Sequence, residues 1–252
     1  MIDIKKIVFA DDELKFYVGT ELELYRVETL LEKEPETIAW ISDWSKKSNE
    51  VIFFDIGANI GIFSLFASHK SMSTKVFCFE PVSDNFAALV RNIKLNNFNN
   101  IFPFNFGIGR DNKLTSLFLN DLRVGNSGAQ LNRALNDKGE LFSPVRVETV
   151  LSFTLDSLIN EFGFPVPDYV KIDVDGLEHL ILQNMIKTLA NEKLKSILVE
   201  FNNIQELNAW KKTLKSLGFK LDSNFDNVHG HSRFRRMKNN SSAINCIFSR
   251  YV

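Results

Sequence analysis

The segment that most constrains this chain is a hydrophobic run, Val51-Ile-Phe-Phe-Asp-Ile56, that passes directly into Gly-Ala-Asn-Ile-Gly61 and then into a helix from about Ile60. A strand buried on both faces reads as such an unbroken apolar run. A glycine-bearing turn directly after it lets the backbone reverse tightly and lets a ligand approach without Cβ atoms in the way. The alternation then repeats. Lys75 to Phe79 predicts a second strand, and Phe86, Leu89, Val90 and Ile93, at three- and four-residue steps, predict one face of a helix. Ile101 to Phe106, Asp168 to Asp173 and Ser196 to Phe201 predict three more strands, and a helix carrying Leu207, Trp210, Leu214 and Leu217 ends at Gly218. Strands and helices in alternation imply an α/β fold whose mostly parallel sheet is covered on both faces.

The flanks differ. Two short strands, Ile7 to Ala10 and Leu14 to Val18, are expected to meet at Asp11-Asp12, and two helices are expected across residues 20 to 47 with a break near Glu34-Pro35. Residues 110 to 150 interrupt the alternation with β-prone pieces, Leu114 to Leu119 and Val145 to Val150, separated by Gly, Asn, Asp and Ser. Ala243 to Val252 alternates enough for a last, antiparallel strand at the sheet's carboxyl end. The expectation is one domain over 1–252: a hairpin and helices over 1–50, then a core over 51–252 with a β-rich insertion at about 110–150.

Thirty basic residues against thirty-one acidic ones leave no overall field to gather nucleic acid or an anionic membrane, so a small-molecule partner is expected, with a homo-oligomer compatible. The two cysteines, Cys78 and Cys246, lie inside apolar runs without metal-ligand spacing, which predicts buried reduced thiols. With no stretch that reads as a signal peptide or a membrane span, the expected location is the cytoplasm.

The turn itself narrows the ligand. Its Gly-x-x-x-Gly spacing departs from the Gly-x-Gly-x-x-Gly that seats a pyrophosphate on a helix N-terminus, and Asp55 already stands at the strand end, where a carboxylate suits an amino acid tail better than a diphosphate. Glu80 ends the second strand, where a carboxylate can accept both hydroxyl hydrogens of a ribose. An ordinary tight turn and a solvated acid are the bland alternative for either feature alone; their joint placement favours an adenosine-type ligand.

Phe54-Asp-Ile-Gly-Ala-Asn-Ile-Gly61, Phe79-Glu-Pro81, Gly125-Asn-Ser-Gly128, Thr154-Leu-Asp156 and Val170-Lys-Ile-Asp-Val-Asp-Gly-Leu-Glu178 follow one another in the order of the FkbM methyltransferases, which the chain resembles over about residues 50 to 200. The resemblance implies a Rossmann-like class I methyltransferase fold with a mostly parallel seven-stranded sheet, S-adenosylmethionine as cofactor, and O-methylation of sugars or secondary metabolites. Carried over by position, it places Asp55, Gly57, Ala58, Asn59 and Gly61 at the methionine part of the cofactor, Glu80 with Pro81 at the ribose, and Asn105 and Phe106 at the adenine. Position 175 is Asp where the family usually has Glu, which shortens a side chain there.

Methyl transfer to a hydroxyl requires alignment, exclusion of water and a group to take the proton. Asp173, Glu200 and His229 are the candidates for that group. The structural alternative for Asp173 or Asp175 is to cap the helix beginning near Leu177. Asp173 and Glu200 also have the oxygen donors of a Mg²⁺ site, although paired carboxylates beside a cleft commonly occur without a metal; the expectation is metal-free transfer. His179 reads as a surface or packing residue. His229 to Lys238 holds two histidines and four cations, of which Arg233, Arg235 or Arg236 suits an anionic part of the acceptor such as the diphosphate of a nucleotide sugar, a solvated loop being the alternative. The competing functions are a non-catalytic adenosine-nucleotide-binding module and an NAD-dependent oxidoreductase, the latter disfavoured by the missing glycine of the dinucleotide turn.

Overall fold

The computed structural model describes residues 2–9, 12–47, 50–135, 139–226 and 243–250. The chain opens with an antiparallel hairpin, β1 (Asp3–Phe9) and β2 (Asp12–Val18), followed by helices α1 (Glu21–Glu28) and α2 (Pro35–Trp44). The hairpin is longer than the apolar residues alone indicate, because its ladder runs from Asp3 opposite Val18 to Phe9 opposite Asp12. Pro35 occupies the first turn of α2, where its missing N–H has no intrahelical partner to lose.

The alternating core then runs through β3 (Ile52–Ile56), α3 (Ile62–Lys70), β4 (Lys75–Phe79), α4 (Ser83–Leu95) and β5 (Ile101–Phe104). The insertion supplies β6 (Gly107–Ile108), β7 (Lys113–Leu119), β8 (Gln130–Leu131) and β9 (Arg146–Phe153), which form their own four-stranded sheet in the order β6-β9-β7-β8. After it come α5 (Leu155–Asn160), β10 (Tyr169–Ile172), α6 (Glu178–Gln183), α7 (Ile186–Ala190), β11 (Ser196–Phe201), α8 (Ile204–Ser216), β12 (Phe219–Leu221) and β13 (Ile244–Arg250).

The main sheet has seven strands in the order β12-β13-β11-β10-β3-β4-β5. Strands β11, β10, β3, β4 and β5 are parallel to one another, whereas β13 is antiparallel to both β11 and β12. The last strand is therefore antiparallel as expected but lies one place in from the edge. That edge is β12, too short at three residues to show a period.

Chain order reverses between β3 and β10, since β4 and β5 step one way from β3 and β10 and β11 step the other. At such a reversal the loops leaving the strand ends diverge and open a crevice. Both faces of β3 are covered: Phe53 meets the rings of Trp40 and Trp44 from α2, while Phe54 meets Phe77 and Phe79 on the other face. The two-residue period puts Asp55 on the Phe53 side, toward α3. Cys78 and Cys246 are buried free thiols. No helix among the described residues is long and apolar enough to cross a membrane.

Candidate active site

The turn after β3 is tied to the neighbouring strand by its backbone. The N–H groups of Gly57 and Ala58 both donate to the Phe79 carbonyl at 3.0 Å, tying the end of β3 to the end of β4. Gly57 has φ +84°, and a Cβ there would fall 1.9 Å from the Asp173 carbonyl oxygen, so the glycine is required by the neighbouring strand end of the chain itself. At Gly61, φ +91°, a Cβ would stand 2.5 Å from Leu89 and 2.6 Å from Leu65. That second glycine lies where α3 packs on α4.

Glu80 lies just beyond β4, 4% exposed, with each carboxylate oxygen taking one backbone N–H: Asn59 donates to Oε2 at 2.8 Å and Val82 to Oε1 at 2.8 Å. Each oxygen keeps a second lone pair for a further donor. Burial pushes its pKa up to about 7 against the lowering effect of those two hydrogen bonds. The Gly125-Asn-Ser-Gly128 segment is drawn across from the insertion. Asn59 and Asn85 both donate side-chain N–H to the Asn126 carbonyl, at 2.7 and 3.0 Å, and the Gly128 N–H donates to Asp175 at 2.7 Å. From behind, Thr20 at the start of α1 donates to the Val124 carbonyl at 2.7 Å. A cleft results at the carboxyl ends of β3, β4 and β10, where Gly57, Asn59, Glu80, Asn126, Ser127 and Asp173 stand among the lining residues.

Asp173 follows β10 and accepts from the Lys171 ammonium at 2.6 Å. Lys171 is 1% exposed, sits opposite Asp55 in the β10–β3 register, and lies 4.9 Å over the Phe63 ring. A lone ammonium buried this way would cost several kcal/mol. Burial works to lower its pKa, but Asp173, Asp55 and Glu34 hold it well above the ordinary lysine range. Conversely, burial works to raise Asp173, and the Lys171 charge outweighs it and keeps the carboxyl below its usual value. Glu200, at the end of β11, behaves oppositely. Burial, followed by the negative charges of Asp173, Glu34, Glu178 and Asp175, pushes it up to about 9. The strand ends thus hold one ionised and one protonated carboxyl.

Neither aspartate caps α6, so the structural alternative for the pair does not hold. Asp175 takes φ +59° and spends its carboxylate on Gly128, while Glu178 folds back to accept from Val174 at 2.9 Å and Gly176 at 3.0 Å, with burial pushing it up to about 8. As a divalent-metal site the Asp173–Glu200 pair fits poorly. One Asp173 oxygen is engaged by an ammonium, and among the described residues no group of three or more His, Cys, Asp or Glu is placed to hold a metal.

Of the residues expected at the cofactor, Gly57, Asn59, Glu80 and Pro81 line the cleft. Asp55, Ala58, Gly61, Asn105 and Phe106 do not. Asp55 is fully buried and accepts from Ser64 of α3 at 2.6 Å, Ala58 is in the hydrophobic core, and Asn105 turns its amide back onto the Glu80 and Pro81 carbonyls at 2.8 and 3.2 Å. Phe106 lies past the end of β5 and packs against Phe79, Phe104 and Phe153. Of the catalytic candidates, Asp173 lines the cleft and Glu200 acts on it electrostatically. His229 and the arginines at 233, 235 and 236 lie outside the described residues. Asn85, Lys171 and Glu178 are site-building residues whose role carries no signal in the sequence; Lys171 and Glu178 lie within a motif of the resemblance, and Asn85 within none.

Comparison with known proteins agrees with this architecture. The chain is 26% identical over 141 residues to Methyltransferase 1 of Beauveria bassiana, covering 52% of this chain and 57% of that protein. It is 23% identical over 188 residues to the hexuronic acid methyltransferase AglP of Haloferax volcanii, covering 75% and 70%. Among solved structures, precorrin-6y C5,15-methyltransferase from Geobacter metallireducens is similar in fold, with a TM-score of 0.51, 12% identity, and 94% of each chain covered. Strand order and this likeness give the class I methyltransferase fold. Residues 55–221, more than half of the chain, match the methyltransferase FkbM domain, and the chain belongs to that family.

Proposed function

We propose that this chain is an S-adenosylmethionine-dependent O-methyltransferase acting on a hydroxyl of a sugar or sugar-like small molecule, with a nucleotide-activated sugar among the acceptors it suits. The observation that carries the reading is that a buried carboxylate, Glu80, and an ion-paired carboxylate, Asp173, line one cleft at the reversal of strand order. The donor set fits the cofactor: Glu80 retains lone pairs for a ribose diol, and Asp173 and Asp175 add negative charge suited to a ligand that is cationic overall. The hexuronic acid named for the Haloferax relative supports a sugar acceptor.

When bound, S-adenosylmethionine supplies a sulfonium methyl and leaves as a neutral thioether. The residues have correspondingly little covalent work. Lys171 holds one oxygen of Asp173, fixing the rotamer and keeping the carboxyl ionised, so the other oxygen can accept the proton of the attacking hydroxyl. A weak base suffices, because the hydroxyl becomes strongly acidic as its oxygen bonds to carbon. Glu200, pushed up to about 9, keeps its proton at neutral pH and leaves the role of base to Asp173. The Gly125–Gly128 segment, clamped by Asn59, Asn85 and Asp175, narrows access of water to the cleft.

Calorimetric titration of the purified chain with S-adenosylmethionine, and separately with NAD, tests the reading without knowledge of the acceptor. Micromolar binding of S-adenosylmethionine, about 8 kcal/mol, followed by methyl transfer to a sugar hydroxyl is the expected result. Binding without turnover across a panel of sugars and nucleotide sugars would leave a non-catalytic module, and NAD binding in place of S-adenosylmethionine would overturn the assignment.

A further inference from the structure

A groove of about 710 Å³ opens beside the cofactor cleft, between the insertion sheet and helices α6 and α8. Its position follows from the strand ends. Gly176 and Leu177 come from the loop just past Asp173, and Asn203 comes from the loop just past Glu200. One hydrogen-bonded partition separates groove from cleft: Gln130, a groove residue, donates its amide N–H at 2.5 Å to the carbonyl of Asp175, a cleft residue. Another cavity, about 680 Å³, lies beside Tyr169 and Ser196 at the opposite, amino ends of β10 and β11.

The two sides of the partition have opposite charge. The cleft is lined by Glu80, Asp173 and Asp175, whereas the groove is lined by Arg110, Lys113 and Arg133 against a single carboxylate, Glu206. Asp111, outside the lining, holds Arg110 at 3.1 Å and Lys113 at 3.0 Å, so two of the cations are positioned from behind. Arg133 forms no ion pair among the described residues. Asn132 and Asn203 use their side-chain oxygens on Thr115 and on the N-terminus of α8, which leaves their amide hydrogens for hydroxyl groups. Leu131, Leu177 and Leu180 supply apolar surface of the kind that receives the C–H face of a sugar ring. The volume is in the range of small-molecule sites.

We propose that this groove holds the acceptor by an anionic group, a carboxylate or a phosphate on a carbohydrate, and that Arg133 with Lys113 and Arg110 makes the enzyme select charged over neutral sugars. The inference rests on the methyltransfer reading above and narrows its acceptor class. An anionic sugar would be repelled by the carboxylates of the cleft unless cations on the far side of the Gln130–Asp175 partition held its charge away from them.

The test is titration of the full chain, with and without S-adenosylhomocysteine, with methyl β-glucuronide, glucose 1-phosphate and the neutral methyl β-glucoside. At least one anionic sugar should bind tenfold or more tightly than the glucoside. That affinity should fall tenfold or more in Arg133→Ala and further in the Arg133→Ala/Lys113→Ala pair, while S-adenosylhomocysteine binds both variants as it binds the parent. Preference for the glucuronide assigns a carboxylate, and preference for glucose 1-phosphate assigns a phosphate. Equal binding of charged and neutral sugars, no binding of either anion, or anion affinity indifferent to both substitutions overturns the proposal. Absence of any anion preference in the parent chain, with S-adenosylhomocysteine still bound, removes only the groove. Anion binding that persists in a chain unable to bind S-adenosylhomocysteine removes only the methyltransfer reading.

Discussion

Raising the pH from 6 to 8 should tighten binding of a ribose-bearing ligand by about tenfold, and Glu80→Gln should abolish that dependence. Glu80 is buried, its carboxyl is pushed up to about 7, and its oxygens are already oriented by the N–H groups of Asn59 and Val82. Ribose hydroxyls donate hydrogen bonds, so they favour the ionised form. With that pKa, about one molecule in eleven is ionised at pH 6 and about ten in eleven at pH 8; apparent affinity scales with the competent fraction, giving about tenfold, or about 1.4 kcal/mol. The assay is calorimetry with 5′-methylthioadenosine, which keeps the ribose but lacks the amino acid whose own α-amino group titrates near this range. In Glu80→Gln the amide NH₂ must face one of two backbone N–H donors, at a cost of about 1–3 kcal/mol. The variant should therefore fold with a melting temperature lower by about 2–12 °C. An affinity flat from pH 6 to 8 in the parent, or a slope retained in the variant, would refute the role of Glu80.

Gly57→Ala should destabilise the chain by about 2–5 kcal/mol, combining left-handed strain with a Cβ driven into the Asp173 carbonyl. Gly163→Ala, with φ +74° and nothing within 4 Å of the new Cβ, should cost only about 1–2 kcal/mol; equal urea midpoints for the two would contradict the packing argument. Asp173→Asn should cut turnover by about a hundredfold or more while leaving S-adenosylhomocysteine affinity within a few-fold, and parallel loss of both would make Asp173 a binding residue instead. Stability should fall from about pH 5 to pH 9. Across that interval unfolded-state glutamates ionise freely while folded Glu178 and Glu200 retain protons up to about 8 and 9, and Asp173, held low, loses its own contribution only in stronger acid. A melting temperature that rises between pH 6 and 9 would count against the buried acids.

The parts of the fold legible in the sequence are those that repeat along the chain. β4 and β11 can be read to the residue because their apolar runs are buried in the sheet, and α4 and α8 can be located, without exact bounds, because their apolar positions recur at helical steps. β12, β6 and β8 cannot, because two or three residues carry no period and are paired only by partners distant in sequence. The site divides the same way. Glu80 and Asp173 stand at strand ends, where a strand-by-strand reading places them. Lys171 reads as an ordinary motif lysine until the β10–β3 register sets it opposite Asp55, and Asn105 invites a base-edge role until its amide is seen bound to the Glu80 carbonyl. For Gly57 the sequence discloses the conformation but not the neighbour: the obstacle to a side chain is the adjoining strand end.

The family-matched region begins at residue 55, yet the segment ahead of it is stitched into the methyltransferase core. Asn92 of α4 and Asn96 just past its end accept from the Tyr17 and Lys15 N–H groups of β2 at 2.9 and 2.8 Å, the Trp40 indole of α2 donates to Ser196 on β11 at 3.0 Å, and Asn245 of β13 donates to both Glu34 and Glu36. A chain lacking the first fifty residues would bare one face of the sheet and leave the Asn92, Asn96 and Asn245 side chains without these partners. Chimeras that exchange acceptor preference between relatives should therefore cut within the insertion and carry the first fifty residues along with their own core.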